Sequence, residues 1–556
     1  MKKIALIIAL FVTFASALSI DDISYNLQDS LQNKLSLSNP NASLIKQIYI
    51  ASKNKPVWVT NKAKMSELIQ ALKNPMYNYK NKAFDQKAIK KLLYYLDNNA
   101  ISSQKKALVY ARLDLLLTNS YIRLIRFITQ SDVDWQLVQK KLQALKEDED
   151  ISAVWEMHIK PMPKSKYIIN SILNNQVISY LDSLIPMRDR YKKLVDLLVK
   201  YRKMDKFPKI AYSKRVLKLG DRDSRIINIK KRLQITGDYP KHIKPNSKFD
   251  VALQKAALTY QKRYLLKPTG DIDTTMIYYL NQPLAKNIQS IITNLDKTKL
   301  YPSSFENEYV EVNIPDFNLR YYKNHNMIDK MGVVVGRIDR PTPIFSNSIK
   351  YIVLNPTWTI PDNLVKRDLI HVFRENPNYL LEHNIHVFRG KKEIEITPDM
   401  LEEYEHSDEK IPYRFVQFPG DDNALGRVKF MFPNKYAVYL HDTDNKTLLT
   451  HRYKIYSSGC MRVDKPFRLL DLLLLHATKR YTHQEIQDII ATDKPKIIRL
   501  KKHIPIHILY FTVYQENGLA YFKNDIYMYD KIIQESIKGR SKPTFSMPKN
   551  RFITTD

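Results

Sequence analysis

The chain has 556 residues, more than one hydrophobic core usually supports, so about two to four domains are expected. Hydrophobic residues make up 44%, which excludes wholesale disorder. The formal net charge is +32, spread along the chain rather than gathered in one arm.

The N-terminus governs how that charge is read. Lys2 and Lys3 precede an apolar run from Ile4 to Phe14, and Ala15-Ser16-Ala17 supplies a small–x–small cleavage pattern. Residues 1–17 therefore read as a secretory signal peptide, with an uncleaved N-terminal anchor as the alternative. No later segment has the roughly eighteen uncharged apolar residues of a membrane span. An exported chain meets little nucleic acid. Its positive charge then faces anionic envelope surfaces, or is simply a solvated exterior.

Residues 18–215 read as a helical scaffold. "DISYNLQDSLQNKLSL", "AIKKLLYYLDNNA", "ALVYARLDLLLTNSYIRLIRFI" and "YKKLVDLLVKYRKM" place apolar residues at three- and four-residue intervals. None of them carries a catalytic constellation.

Residues 216–296 form a compact unit. One helix is expected to start near Ser224, as N-cap, and to turn Ile226, Ile229 and Leu233 inward. A second runs from about Asp250 through Leu253, Ala257 and Tyr260, a turn follows at Gly270, and a short third helix follows Asp273. The order "LG-x-x-x-S-x-x-I", then "FD-x-x-L-x-x-A", "YQ" and "L-x-x-x-G-x-I-D-x-x-T" resembles the three-helix peptidoglycan-binding domain.

After residue 305 the pattern changes to strands: "YVEVNIPDFNLRYY" (309–322), "MGVVVG" (331–336), "IKYIVLNPTWTI" (349–360) and "KYAVYLHDT" (435–443). Between them, 362–419 is a charged insertion that reads as helices, and so long an insertion beside a site suggests a lid. Helices are expected at 466–479 and 482–490, then strands in "PIHILYFTVYQE" and "LAYFKNDIYMY", and a basic tail over 531–556.

Cys460 is the only cysteine. Unpaired in an exported chain, it is either a reactive thiol or an inert buried one, and the count does not choose between them. His441 ends an apolar strand nineteen residues upstream and can present an imidazole at the sheet's mouth. His451, nine residues upstream, competes with it, while His507 in "PIHILY" reads as a sheet histidine. The amides of Gly459 and Cys460, with the Tyr439 hydroxyl, suit an oxyanion, and Arg462 can pin the turn or hold a carboxylate. No zinc-ligand spacing, phosphate loop or dinucleotide fingerprint occurs, so neither metal nor cofactor is expected.

"YLHDT" followed by "SSGCMRV" resembles the active-site signature of L,D-transpeptidases with a YkuD-type domain. "VNIPDFNLRYY", "VVVGRIDRPTPIFS", "YIVLNPTWTIP", "QFPGDDNALGRVKFMFPN" and "IPIHILYFTVYQENG" follow the order of their large periplasmic YcbB-like branch. The resemblance implies a multidomain α+β protein: a helical scaffold, a three-helix peptidoglycan-binding domain, and a mainly-β catalytic domain over 305–530 with a helical lid insertion. It implies Cys460 as nucleophile and His441 as its base. Tyr439, Gly459 and the Cys460 amide would stabilise the oxyanion, and Ser458 and Arg462 would shape the turn. Asn423 and Trp358, within the quoted segments, become candidate substrate contacts.

The implied reaction is 3→3 cross-linking of peptidoglycan in the periplasm of a Gram-negative type envelope, through a cysteine thioester made from a donor tetrapeptide stem. Carbapenems would acylate the same cysteine. An L,D-carboxypeptidase that trims stems, attachment of an outer-membrane protein, and a non-catalytic wall-binding scaffold are the alternatives. Peptidoglycan stems are the expected partner, with other cell-wall synthesis proteins beside them.

Overall fold

The β-branched and aromatic runs after residue 305 form a sheet that closes on itself. The computed structural model describes residues 19–34, 39–97, 102–149, 151–407 and 409–537. The expected signal peptide at 1–17 lies outside them, as do residues 538–556 of the expected tail.

Strands β1 (Glu308–Asn313), β2 (Asn318–Lys323), β3 (Asn326–Gly336) and β4 (Ser346–Leu354) open the catalytic region. Within the insertion and its flanks come β5 (Trp358–Thr359), β6 (Ile385–Arg389), β7 (Lys392–Glu393) and β8 (Arg414–Gln417). The main sheet resumes with β9 (Val428–Met431), β10 (Leu440–His441), β11 (Ile455–Ser457), β12 (Met461–Val463) and β13 (Lys496–Leu509). A hairpin of β14 (Val513–Glu516) and β15 (Leu519–Phe522) stands apart.

The nine-stranded order is β11-β3-β12-β10-β9-β4-β13-β1-β2. The first part of β3 pairs with β2 and its last residues pair with β12 and β11, which curls the sheet into a closed wall. Val310, Val312, Val333, Ile352, Phe430, Leu440, Met461 and Ile506 fill the interior. Each such side chain contributes roughly 1.5–3 kcal/mol by leaving water.

Four expectations are corrected. The strand at 435–443 shrinks to Leu440–His441, because Asn434 captures the backbone before it. The Asn434 amide donates to Phe432 and Val438 carbonyls at 2.7 and 2.8 Å, its oxygen accepts from the Tyr436 N–H at 3.0 Å, and Ala437 takes a φ of 54°. Helix 225–236 starts after Ser224, but that hydroxyl makes no cap bond; the Asp223 carboxylate accepts the Arg225 N–H at 2.9 Å instead. The insertion supplies β6, β7 and β8, which with the flanking β5 make a four-stranded sheet, β5-β8-β6-β7, besides its helices, around a core of its own that includes Val365, Ile370, Phe373, Leu401 and Phe415. Finally, the segment expected to begin the tail lies within helix Tyr529–Glu535, with Ile532 and Ile533 buried against the catalytic core.

The cores also cross the boundaries read from composition. Val133, Trp135, Val138, Leu142 and Trp155, from the stretch read as scaffold, belong to the catalytic core. Val513, Ala520 and Phe522 of the β14–β15 hairpin join the core of the helical half, where Ile226, Ile229 and Leu233 also lie fully buried. Buried polar ties stitch the halves together. One guanidinium nitrogen of Arg190, on helix Arg188–Arg202, donates to both oxygens of the Glu311 carboxylate of β1 at 2.9 and 2.7 Å. Lys297 reaches Asp530 at 2.6 Å, and the Arg263 side chain donates to the Ala520 carbonyl at 2.6 Å.

Glu311 is 2% exposed, so removing Arg190 leaves its buried charge with only the Arg320 guanidinium, 3.9 Å away and outside hydrogen-bond reach. Arg190→Met is expected to cost about 3 kcal/mol or more, read as a lowered urea midpoint of the catalytic region. Lys502→Met, which removes a half-exposed partner of Glu308, should cost less than about 1 kcal/mol.

Candidate active site

A short parallel pairing builds the site. Leu440 pairs with Met461 and His441 with Arg462, and the Met461 N–H donates to the Tyr439 carbonyl at 3.0 Å. Cys460 immediately precedes β12, so this register sets it beside Tyr439 and diagonal to His441. Because side chains alternate along a strand, Tyr439 and His441 share one face with Cys460 and Arg462. On the other side of β10, Lys429 of β9 pairs with His441.

Cys460 is partly exposed and not in a disulfide. Burial pushes its thiol above the ordinary value, against the Tyr439 backbone N–H, the charge of Lys429, the Tyr439 phenol and the charge of Arg462. Burial likewise raises the Tyr439 phenol, reinforced by Cys460, so the hydroxyl stays a donor; Trp358, near the same group, opposes the rise.

His441 is buried and is pushed down to about 3, first by burial and then by the Arg462 guanidinium, with Lys429 and Lys446 adding to it; a backbone hydrogen bond at Asp442 opposes them. Its Nδ1 is buried without a hydrogen-bond partner among the described residues. Thiol and imidazole are thus both neutral at rest, one register step apart on the same face of the β10–β12 pair. An imidazole so depressed is a weak base, and it takes the thiol proton only as the negative charge of a forming thiolate offsets burial and the nearby cations.

The turn before the cysteine is built from small residues. Gly459 takes a φ of 111°, which only glycine adopts without strain. Its carbonyl accepts from the Thr342 hydroxyl at 3.0 Å. The Ser457 hydroxyl accepts the Gly459 N–H at 3.3 Å and donates to the Cys460 carbonyl. That corrects one expectation: in this arrangement the Gly459 amide is spent within the turn, not aimed at an oxyanion. Arg462 donates to the Thr443 hydroxyl at 3.2 Å and keeps Nε buried without a partner among the described residues.

Comparison with known proteins bears on the same stretch. Residues 307–482 match the model of the YkuD family, the L,D-transpeptidase catalytic domain, and residues 43–198 match a scaffold domain. The chain carries a YkuD L,D-transpeptidase catalytic domain. A curated Haemophilus influenzae protein described as "Putative L,D-transpeptidase" is 34% identical over 245 residues, 44% of this chain and 49% of the relative. The chain thus spans about half the length of that relative. Among solved structures, an L,D-transpeptidase from Xylanimonas cellulosilytica is 12% identical, covering 54% of this chain and 98% of that one, at a TM-score of 0.18. One from Stackebrandtia nassauensis is also 12% identical, covering 54% and 97%, at a TM-score of 0.20.

Within the YkuD domain the remaining candidates separate. Trp358 lies near the Tyr439 phenol, half-buried at the start of β5. Asn423 does not face the site. It is 1% exposed, its amide donates to the Pro356 and Phe418 carbonyls at 3.2 and 2.9 Å, and its oxygen accepts from the Leu425 N–H. Its role is to pin the loop before β9, not to touch substrate. His451 is exposed and bonded to the Tyr456 hydroxyl at 2.6 Å. His507 is a satisfied sheet histidine, held by Ser346 and Glu306 and stacked on Phe305 at 3.8 Å. Among the described residues no cluster of three or more metal-ligating groups occurs, and no helix is long and apolar enough to cross a membrane.

Sequence reading missed Lys429, Thr342 and Arg340. The Lys429 ammonium lies 3.7 Å from the Tyr439 ring centroid, and burial pushes it down while the charge of Cys460 opposes that. The signal was legible: a single charge inside the short apolar strand "VKFM", next to "YLHDT".

Two tests follow from these electrostatics. Lys429→Met removes a cation that favours the thiolate, so alkylation of Cys460 by iodoacetamide at pH 8 should slow about tenfold; an unchanged rate in the folded variant refutes the assignment. The His441 C2 proton should not titrate between about pH 5 and 8, since its folded value is depressed below the ordinary value near 6.5. Below about pH 6.5 the unfolded chain binds a proton that the folded one does not. The stability linked to His441 is therefore full above that pH and is lost as pH falls toward 3. An imidazole midpoint near 6.5 in the folded protein would contradict this.

Proposed function

We propose that the protein is a peptidoglycan L,D-transpeptidase that forms 3→3 cross-links through a thioester on Cys460. The observation that carries the reading is the pairing just described. By register it puts the chain's single thiol opposite Tyr439 and one step from a buried, neutral His441, in a segment that matches the YkuD domain, which supports the reading.

The donor is a tetrapeptide stem. As Cys460 Sγ attacks the carbonyl between the third residue and D-Ala, the thiol proton passes to His441. The Tyr439 hydroxyl and the Cys460 amide receive the oxyanion. The C–N bond breaks, D-Ala leaves with the proton from His441, and the thioester keeps its acyl-transfer potential. The side-chain amine of a second stem then attacks the thioester, forms the new amide and returns the thiol. The insertion at 362–419 shields the thioester from water in the interval. The unit at 216–296 holds the polymer close, raising its effective concentration at Cys460. Residues 1–17 direct the chain to the periplasm, where this substrate lies.

Incubation with disaccharide-tetrapeptide and mass analysis of the products tests the reading. A cross-linked dimer supports it, and tripeptide alone means that water resolves the thioester. Unchanged substrate beside an intact thiol means a wall-binding scaffold. Cys460→Ala should abolish turnover, a loss greater than about a thousandfold, and a carbapenem should add its mass at Cys460. Surviving activity in Cys460→Ala would sink the proposal.

A further inference from the structure

The loop between β3 and β4 holds the residues just before Cys460 from several directions. Its path is tight: a side chain at Gly336 would collide with the Arg340 carbonyl and the Thr342 nitrogen. The Arg337 N–H donates to the Ser457 carbonyl at 2.8 Å. The Thr342 hydroxyl accepts from the Gly336 N–H at 2.8 Å while donating to the Gly459 carbonyl. Tyr527 closes the base of the loop by donating to the Gly336 carbonyl at 2.6 Å.

Arg340 goes further than the rest of this loop. One guanidinium nitrogen donates to the Ser458 hydroxyl at 3.0 Å and also to the Asp368 carboxylate, and the other reaches Asp368 at 2.9 Å. Asp368 belongs to the insertion, in the turn Val365–Leu369, whose Val365 and Leu369 are buried in the insertion's own core. A planar fork therefore joins an independently packed unit to the turn that presents the nucleophile, with the Arg337 guanidinium a weaker second link 4.0 Å from the same carboxylate. The fork's two partners are 28 and 118 residues from Arg340 in sequence.

We propose that Arg340 is a positioning residue that couples docking of the insertion to the conformation of the Ser458–Cys460 turn. With the insertion docked, Asp368 orients the guanidinium and the guanidinium holds Ser458; with the insertion lifted, the turn loses that restraint. Arg340 is 10% exposed and Asp368 45%, so the pair is ordered on one side and screened by water on the other. Such a contact opens and re-forms readily, as a unit that must admit two stems in succession requires. The functional consequence rests on the reading of Cys460 as the acyl acceptor; the mechanical coupling does not.

Hydrogen exchange separates the two. In the full-length protein, Asp368→Asn is expected to speed amide exchange over 457–460 about two- to fivefold, although it lies in the insertion and touches none of those amides. Arg340→Met should do the same, and adding Ser458→Ala to Asp368→Asn should produce no further effect, because one guanidinium carries both contacts. Arg340→Lys, which keeps the charge without the fork, should restore only part of the protection. Exchange over 457–460 that stays at the wild-type rate in Asp368→Asn overturns the coupling, as do independent, multiplying effects of Asp368→Asn and Ser458→Ala. Acylation by disaccharide-tetrapeptide supplies the functional arm: kcat should fall with KM little changed. Wild-type protein that fails to acylate removes the reading of Cys460, and leaves the exchange result to decide the coupling.

Discussion

Everything chemical in this protein depends on a parallel pairing of two very short strands. β10 contributes two residues and β12 three, yet their register alone brings Tyr439 to Cys460 and His441 to Arg462. So short a ladder cannot sustain itself, since each residue fixed costs roughly 1–2 kcal/mol of backbone entropy. It persists because β9 and β3 flank it and because Leu440, Met461 and Val463 are buried in the catalytic core. Parallel strands also require a long connection, and the residues from 442 to 460 supply it.

Burial dominates the electrostatics that this pairing creates. Cys460 has two cations nearby, Lys429 and Arg462, and the Tyr439 backbone and phenol beside it, all favouring the thiolate, and desolvation still outweighs them. The same cations work with desolvation on His441, so the imidazole stays neutral. A thiol poised this way is protected from adventitious oxidation, which follows thiolate character. In the proposed reaction a bound carbonyl would offer the developing charge donors already in place.

The larger architecture keeps this site rigid on one side and adjustable on the other. The catalytic sheet shares its core with a helix from the scaffold stretch and lends its C-terminal hairpin to the helical half, so the two halves interlock rather than abut. The insertion differs in kind. It has a separate core and reaches the turn before Cys460 through a half-exposed ion pair. Elements tied by a few screened contacts move at lower cost than elements that share a core.

Much of this was legible in the residues alone. Periodicity located the helices with Ile226, Ile229 and Leu233 inward, alternation located the main sheet, and "YLHDT" with "SSGCMRV" singled out Cys460 and His441, because such signals are local and survive in one dimension. Other features are decided by partners far apart in the chain, and no local pattern carries them. Asn434 and Ala437 truncate the strand before His441 through a side-chain turn, and the hydrogen bonds of Asn423 to Pro356 and Phe418 turn a candidate substrate contact into a loop brace. Ser457 takes up the Gly459 amide. Arg340 meets Ser458 and Asp368 only after the sheet has closed and the insertion has packed. The sequence determined which side chains can do the chemistry; the tertiary structure decided which are free to do it, because each polar group serves the nearest partner that folding brings to it.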